Sequence, residues 1–476
     1  MKKKVLTMEK YLIGLDLGTS ALKGSLLSDS GRWIAEAKEA TVYEYGDKGE
    51  VTFSADGFYQ IAARVIKKLV AALPAEGEIV GIGMASASGN TLLVDEDGLP
   101  LTPVFSWLDR RDAGEMEKVF GKPDEEAVYR ACGWPYIPSF PLAHLAWLKV
   151  HQPELLKNAF GIRMSTDYLL FRLTGKWGMD PSTATTFYLR EQVSGKWNHA
   201  LLDPLGIREE QLPPVYPTGT LLGGVTPKAA EETGLPEGCA VVLGAFDHHL
   251  AALGAGVIKE GQLLLSCGTS WVCFLPLLDR ERVLKENLLC DPFLSSEGGP
   301  WAGMFSLESV AVKIDGMVKK WISSDEDALK TFDALARSAA PGADGLRIDP
   351  TNDLERDLSM YEKKNIARAL MEGTAYLLAE EIRRLAGEGI SVSSAIMVGG
   401  PSKSDPWPGI VTDMLGIPVD TVYGVCAGAV GAATLAGIAT GLYPSLEGAY
   451  AMRTPDLITR TPNPENAAFY SNFSLR

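Results

Sequence analysis

The chain opens on short apolar runs broken by polar turns. Residues 11–15 are apolar, and Asp16-Leu17-Gly18-Thr19-Ser20 is a polar, glycine-containing turn. Residues 22–27 are extended again, and Ser28-Asp29-Ser30-Gly31 is a second turn signal. Residues 32–43 continue as a third strand, so the pattern predicts an antiparallel meander at one edge of a sheet. Residues 56–73 switch to helical spacing, with Phe58, Ile61, Val65, Ile66 and Leu69 on one face. A short strand is predicted at 79–84. Residues 92–94 and 99–101, joined by Asp95-Glu96-Asp97-Gly98, predict a hairpin.

The middle of the chain reads as helical and loop-rich to about residue 203, and 204–238, dense in Pro and Gly, reads as a connector. Beyond it the opening pattern returns. The apolar run 240–243 leads into Gly244-Ala245-Phe246-Asp247, and the run 262–265 leads into Ser266-Cys267-Gly268-Thr269-Ser270. Strand followed by Gly-Thr-Ser thus occurs once in each half, at 18–20 and 268–270, which suggests duplication of one hairpin. A long helix is expected at 365–385, a strand at 395–398 ending in Gly399-Gly400, a helix through 415, and a Gly/Ala-rich helix at 427–439. Strands mixed with helices in both halves give an α/β class. The expected domains are 8–243 and 244–476, and the start could be Met1 or Met8.

Composition narrows the function classes. At 476 residues the chain exceeds what one hydrophobic core ordinarily supports. Lys and Arg total 45 against 60 Asp and Glu, a formal charge of −15, which disfavours nucleic acid and anionic membranes as partners. No apolar run approaches the ~20 residues that span a bilayer. The first residues lack the apolar core and cleavage site of a secretory signal. Six cysteines without a C-x-x-C pair argue against zinc and thioredoxin-like chemistry and read as reduced thiols of a cytoplasmic protein.

Four constellations could carry chemistry. In the first turn, Gly18 allows backbone N–H groups close to an anion, Thr19 and Ser20 add hydroxyl donors, and Lys23 follows. Asp16 at the strand end could hold Mg²⁺, which takes one or two carboxylates plus water and phosphate oxygens. A phosphatase with a nucleophilic Asp here would need a second Asp where Gly18 stands. Gly268, Thr269 and Ser270 could clasp the far side of a polyphosphate. Asp247, entering a helix from a strand end, could accept the proton of a hydroxyl attacking a phosphoryl group. His248 and His249, adjacent on a helix, diverge by about 100° and do not chelate together; one of them contacting substrate fits better. Gly399 and Gly400 permit close approach of a nucleotide, with Ser402 and Lys403 beside them. Each segment also has a plain structural reading, as a hairpin turn, a helix N-cap or a loop.

Taken in order, these segments resemble the FGGY family of carbohydrate kinases, within the sugar kinase, Hsp70 and actin superfamily. The resemblance runs from about residue 11 to 444. It includes Ser106-Trp107-Leu108-Asp109-Arg110-Arg111, similar to a Trp-x-Asp-x-Arg substrate segment. It also includes Thr166-Asp167-Tyr168 with Arg172-Leu173-Thr174-Gly175 and Asp180-Pro181-Ser182. The resemblance implies two RNase-H-like lobes around a central cleft, with ATP mainly on the C-terminal lobe and sugar on the N-terminal one. Asp247 would be the general base, Asp16 would position Mg²⁺, and Trp107 and Asp109 would meet substrate. The implied activity is ATP-dependent phosphorylation of a small sugar or polyol, a pentulose or hexulose first. The alternative is a catalytically weak nucleotide- or sugar-sensing protein on the same fold. A homodimer is compatible, since relatives self-associate. The sequence departs from the family at Ala87-Ser88-Gly89-Asn90, where related kinases carry Met-His or Arg-Glu pairs. Small residues there leave room for a larger sugar or for other side chains such as His248, and make Ser88 and Asn90 candidate substrate contacts. His144 stands where Lys is usual, and Pro401 where a third Gly is frequent.

Overall fold

A computed structural model describes residues 8–475 apart from 87, 112–113, 122–123, 138, 296–297, 423–425 and 453–456. The described chain forms two compact units. The first draws on 1–256, 279–301 and 425–454, the second on 257–278, 302–424 and 455–476.

The first unit is built on six strands: β1 (Glu9–Leu17), β2 (Ala21–Ser28), β3 (Trp33–Ala40), β4 (Gly77–Ala85), β5 (Leu221–Gly224) and β6 (Ala240–Val242), in the order β5-β6-β4-β1-β2-β3. The meander is present: β1 pairs antiparallel with β2, β2 antiparallel with β3, and β3 is the edge. β1, β4 and β6 are mutually parallel neighbours. Five consecutive residues of β1 are buried, so both of its faces are covered.

Helix α1 (Ala55–Ala71) covers one face. Ser54 caps it by accepting from the Gly57 N–H, and its stripe of Phe58, Ile61, Val65, Ile66 and Leu69 joins Ile13, Leu15 and Leu26 in one core cluster. Each such large apolar side chain contributes roughly 1.5–3 kcal/mol when fully buried. The other face takes a helix from far downstream, α5 (Ala427–Ala439), labelled after α2 (Ser165–Thr174), α3 (Pro181–Thr185) and α4 (Asp247–Ala255). Backbone meets backbone here. A Cβ on Gly14 of β1 would lie 1.7 Å from the Ala429 carbonyl oxygen, and one on Gly254 of α4 would lie 1.9 Å from that of Ala427. The Gly/Ala run at 427–439 is therefore a packing requirement.

One sequence expectation is extended and one changes. The 92–101 hairpin is present, with the Leu101 N–H donating to the Leu93 carbonyl at 2.8 Å and the Asp95 N–H to the Leu99 carbonyl at 3.0 Å, but residues 92–94 form their regular ladder with Gly161–Arg163. The supposed connector 204–238 contains β5 and a helix, Pro227–Thr233. Pro227 opens the helix, and Gly234 ends it at φ +77°.

The second unit centres on β7 (Gln262–Cys267), β8 (Trp271–Leu277), β9 (Trp301–Leu307), β10 (Ser394–Gly399), β11 (Val419–Val422) and β12 (Leu457–Arg460), ordered β9-β8-β7-β10-β11-β12. β7 is antiparallel to β8 and parallel to β10, just as β1 is antiparallel to β2 and parallel to β4. The repeated Gly-Thr-Ser turn thus sits in the same topological place in both sheets. The helix Lys363–Gly387 backs the second unit. Oε1 of its fully buried Glu372 accepts from Arg368 Nε (2.8 Å), Tyr470 OH (2.6 Å) and the Gly342 N–H (2.8 Å).

Candidate active site

In the first unit, β1, β4 and β6 run parallel side by side, so their C-terminal ends open onto one rim. Ligands of open α/β sheets bind outside such ends. Asp16 ends β1, residues 86–90 follow β4, and residues 243–247 follow β6 into α4. The sheet thereby brings together at one edge three segments from distant parts of the sequence.

Asp247 begins α4. Its backbone N–H donates to the Ser86 carbonyl at 3.0 Å, and its Oδ1 accepts from the His248 N–H at 2.7 Å. About 30 % of its side chain meets solvent. Burial pushes its carboxyl above the usual range, and the negative charge of Asp16 pushes the same way, while His248 and Lys23 oppose it. Lys23 faces Asp16 across the β1–β2 ladder. His248 Nε2 lies 3.8 Å from Asp247 Oδ1 and its side chain is 26 % exposed. His249, in contrast, is 1 % exposed, with Nε2 3.9 Å from Asp291 Oδ2, and burial lowers its pKa to about 3. The two histidines thus serve different places, and no group of three or more His, Cys, Asp or Glu able to hold a metal occurs among the described residues.

The first turn is tied to the aromatic segment. Trp107 Nε1 donates to Thr19 Oγ1 at 3.1 Å, and Tyr43 OH donates to the Thr19 carbonyl at 3.1 Å. Thr41 Oγ1 donates to the Gly18 carbonyl at 3.2 Å, leaving Ser20 exposed at the tip. Asp109 stands apart from these residues. It has no exposed surface, and its oxygens accept from the Val51 N–H (2.9 Å), the Arg111 N–H (3.0 Å) and the Arg111 guanidinium (2.8 Å at closest). Its carboxylate holds the loop rather than facing open space. Asn90 is likewise engaged, accepting from the Ser165 N–H at 2.7 Å, and the buried Ser88 hydroxyl has no hydrogen-bond partner among the described residues. Ala87 lies outside the described residues. His144, in the place of the expected Lys, is fully enclosed, shares a hydrogen bond with Thr91 Oγ1 at 2.9 Å, and is held near pKa 4 by burial.

Two features were not read from the sequence. Cys426, immediately before α5, donates to Asp16 Oδ2 at 3.0 Å. Ser182, noticed only as part of a sequence run, accepts from the Phe246 N–H at 3.0 Å.

In the second unit, Cys267 and Gly399 are partners at the ends of the parallel strands β7 and β10, so the 268–270 and 399–403 turns adjoin. Gly268, Thr269, Gly399, Gly400 and Lys403 are exposed. Ser270 Oγ accepts from the Ser309 N–H at 2.9 Å, and Ser402 Oγ donates to the Gly399 carbonyl at 2.7 Å. Gly399 adopts φ +97°, and a Cβ there would sit 2.3 Å from the Cys267 carbonyl oxygen, so no other residue fits. Pro401 is accommodated in a short 3₁₀ turn, Gly400–Lys403, a position that asks little of its missing N–H.

Comparison with known proteins agrees with this layout. Residues 11–254 match the profile of the FGGY family of carbohydrate kinases, N-terminal domain, and residues 263–440 match that of its C-terminal domain. The autoinducer-2 kinase of Salmonella typhimurium is 29% identical over 97% of this chain and 92% of its own length. That of Klebsiella pneumoniae is 28% identical over 97% and 91%. Among solved structures, the ligand-bound xylulose kinase of Lactobacillus acidophilus superposes with a TM-score of 0.86 at 23% identity, covering 97% of this chain and 96% of that one. The xylulose kinase of Rhodospirillum rubrum gives 0.83 at 26% identity over the same shares.

Proposed function

The chain belongs to the FGGY family of carbohydrate kinases, and on that premise we propose that it transfers the γ-phosphoryl group of ATP to a hydroxyl of a small ketose, a pentulose or hexulose, with Asp247 as general base. Carbohydrate kinase activity dependent on ATP is the family's chemistry; the substrate and the residue roles are our reading. The observation that carries it is the shared rim of Asp16 and Asp247, two carboxylates at parallel strand ends, one of which raises the proton affinity of the other.

The partly exposed Asp247 takes the proton of the attacking hydroxyl, its oxygen bonds to the γ-phosphorus, and the bond to the β,γ-bridging oxygen breaks to release ADP. Phosphoryl transfer rewards positioning and charge neutralisation more than covalent participation. Lys23 supplies a fixed positive charge near both carboxylates. Asp16 fits a divalent cation: one of its oxygens is engaged by a weak thiol donor, and Mg²⁺ asks the protein for only one or two carboxylates. Asp16 would hold Mg²⁺, which when bound neutralises phosphate charge. Trp107 fixes the Thr19 hydroxyl and presents its ring to the sugar, with Ser88 and His248 as polar contacts. In the second unit, Gly268, Thr269 and Ser270, with Gly399, Gly400, Ser402 and Lys403, receive the nucleotide. Among the described residues no helix is long and apolar enough to cross a membrane, and all six cysteines are unpaired, which suits a cytoplasmic enzyme.

The test is ADP release from ATP and Mg²⁺ across a panel of ketoses, aldoses, polyols, gluconate and autoinducer-2, with Asp247→Asn alongside. A strong response to one compound, lost in Asp247→Asn while ATP still binds, supports the reading. Retained turnover in the variant removes Asp247 from the base role. ATP binding without turnover on any compound favours the sensor alternative.

A further inference from the structure

Two consecutive peptide groups lead into Asp247, and each is pinned. The Asp247 N–H donates to the Ser86 carbonyl at 3.0 Å, and the Ser86 N–H returns a bond to the Ala245 carbonyl at 2.9 Å. The preceding N–H, that of Phe246, donates to a side chain, Ser182 Oγ, at 3.0 Å. Ser182 has no exposed surface. Its single hydroxyl proton goes to Asp180 Oδ1, 2.5 Å away, because a carboxylate only accepts. The hydroxyl oxygen is thereby turned as an acceptor toward Phe246. Asp180, 4 % exposed, also caps α3 through the Ser182 and Thr183 N–H groups at 2.9 and 3.1 Å. The cap explains Asp180 but not the Ser182 hydroxyl, which the helix does not need.

Behind this loop lies a cavity of about 10 Å³, room for one water, lined by Ser86, Thr166, Asp167, Asp180, Thr183, Gly244 and Ala245 among others. The Ser86 and Thr166 hydroxyls bond across its wall at 2.7 Å. The loop before Asp247 therefore rests on polar side chains from α2 and α3, not on apolar packing alone.

We propose that Ser182, oriented by Asp180, is a positioning residue that sets the direction of the Asp247 carboxylate by fixing the Phe246 peptide. With both flanking peptides held, the φ and ψ of Phe246 are determined, and so is the start of α4. Removing the hydroxyl leaves the Phe246 N–H buried without its acceptor and lets the peptide rotate in search of another. A base displaced by a fraction of an ångström loses turnover while the binding of either substrate is little changed. This rests on the reading of Asp247 as base.

The experiment compares Ser182→Ala, Ser182→Thr, Asp180→Asn and Asp247→Asn in the full chain, with steady-state ADP release and the pH profile of kcat. Ser182→Ala is expected to lower kcat about 10- to 100-fold, with KM for ATP and sugar within about twofold, and to move the acid limb of the profile. Ser182→Thr, which keeps the hydroxyl, restores kcat to within about threefold. Asp180→Asn, which keeps the accepting oxygen but removes the charge, falls between. A Ser182→Ala enzyme with wild-type kcat and pH profile, beside an inactive Asp247→Asn, overturns the proposal and leaves the base intact. Equal losses in Ser182→Ala and Ser182→Thr also overturn it, since the hydroxyl would then not be what matters. Turnover retained in Asp247→Asn overturns the base reading itself, whatever Ser182 does.

Discussion

Cys426 Sγ lies 3.0 Å from Asp16 Oδ2, a donor and an acceptor 410 positions apart. The thiol is a weak donor, and burial, reinforced by the carboxylate beside it, holds it well above its ordinary pKa. It therefore stays protonated and occupies one lone pair of the residue assigned to Mg²⁺. Cys426→Ala frees that lone pair. We expect saturated turnover within about threefold of wild type and a lower Mg²⁺ concentration at half-maximal rate. Asp16→Asn should do the reverse, raising the Mg²⁺ requirement and cutting turnover by about 100-fold or more. Mg²⁺ titrations of the three proteins decide it; an unchanged requirement in Asp16→Asn would count against the metal role.

The raised pKa of Asp247 fixes the sign of the pH response. A base works only when deprotonated, so turnover falls as pH drops through the folded-state value. Burial and Asp16 lift that value above the usual carboxylate range. The acid limb of kcat should thus sit above the ~3.9 of a free Asp. Asp16→Asn removes the like charge and should move the limb to lower pH in whatever turnover remains. A limb at the ordinary value in the wild type would contradict this.

Asp167 makes a stability prediction. It is 1 % exposed and burial raises its pKa to about 7, against about 3.9 unfolded, despite the opposing Arg163. A carboxyl raised in the folded state favours folding at low pH. That contribution is lost as pH rises from about 4 to about 7. Asp167→Asn keeps the Oδ1 that accepts from the Met164 N–H at 2.5 Å and removes the ionisation. Unfolding free energies at pH 5 and pH 8 should show a smaller fall for the variant, the difference being at most about 3 kcal/mol. Parallel pH dependence in both proteins would refute the assignment.

The cysteines should be slow to react. Burial pushes the thiols of Cys132 and Cys239 up to about 12, and those of Cys267, Cys273, Cys290 and Cys426 are raised as well. The thiolate is the nucleophile, so a disulfide reagent at pH 7.5 should find almost no fast-reacting group in the native protein and all six after denaturation. One rapid thiol in the native state would show a local opening.

Much of this was legible, for identifiable reasons. The β1–β2 and β7–β8 hairpins announce themselves because apolar runs, Gly and hydroxyl residues are all local signals. Asp16 and Asp247 were found the same way, as acids at strand ends. What stayed hidden depended on distance or on burial. Nothing near Cys426 indicates that it meets Asp16. Asp109 reads through the family resemblance as a substrate contact, yet Arg111 two positions on neutralises it and lets it be buried whole. That local counter-charge was the available signal. The four residues of β5 (Leu-Leu-Gly-Gly) were masked by surrounding Pro and Gly, and only pairing with β6 makes them a strand.

The close seat of α5 against β1 and α4 has a bearing on how the chain is made. Its backbone fills space that Gly14, Gly83 and Gly254 leave open. On a ribosome, the opening strands would emerge long before residues 427–439 exist, with one flank of their sheet bare. The first unit, although it holds the start of the chain, is then closed only late in synthesis, and a chain interrupted before residue 427 would carry an uncovered glycine-lined surface suited to chaperone capture or aggregation.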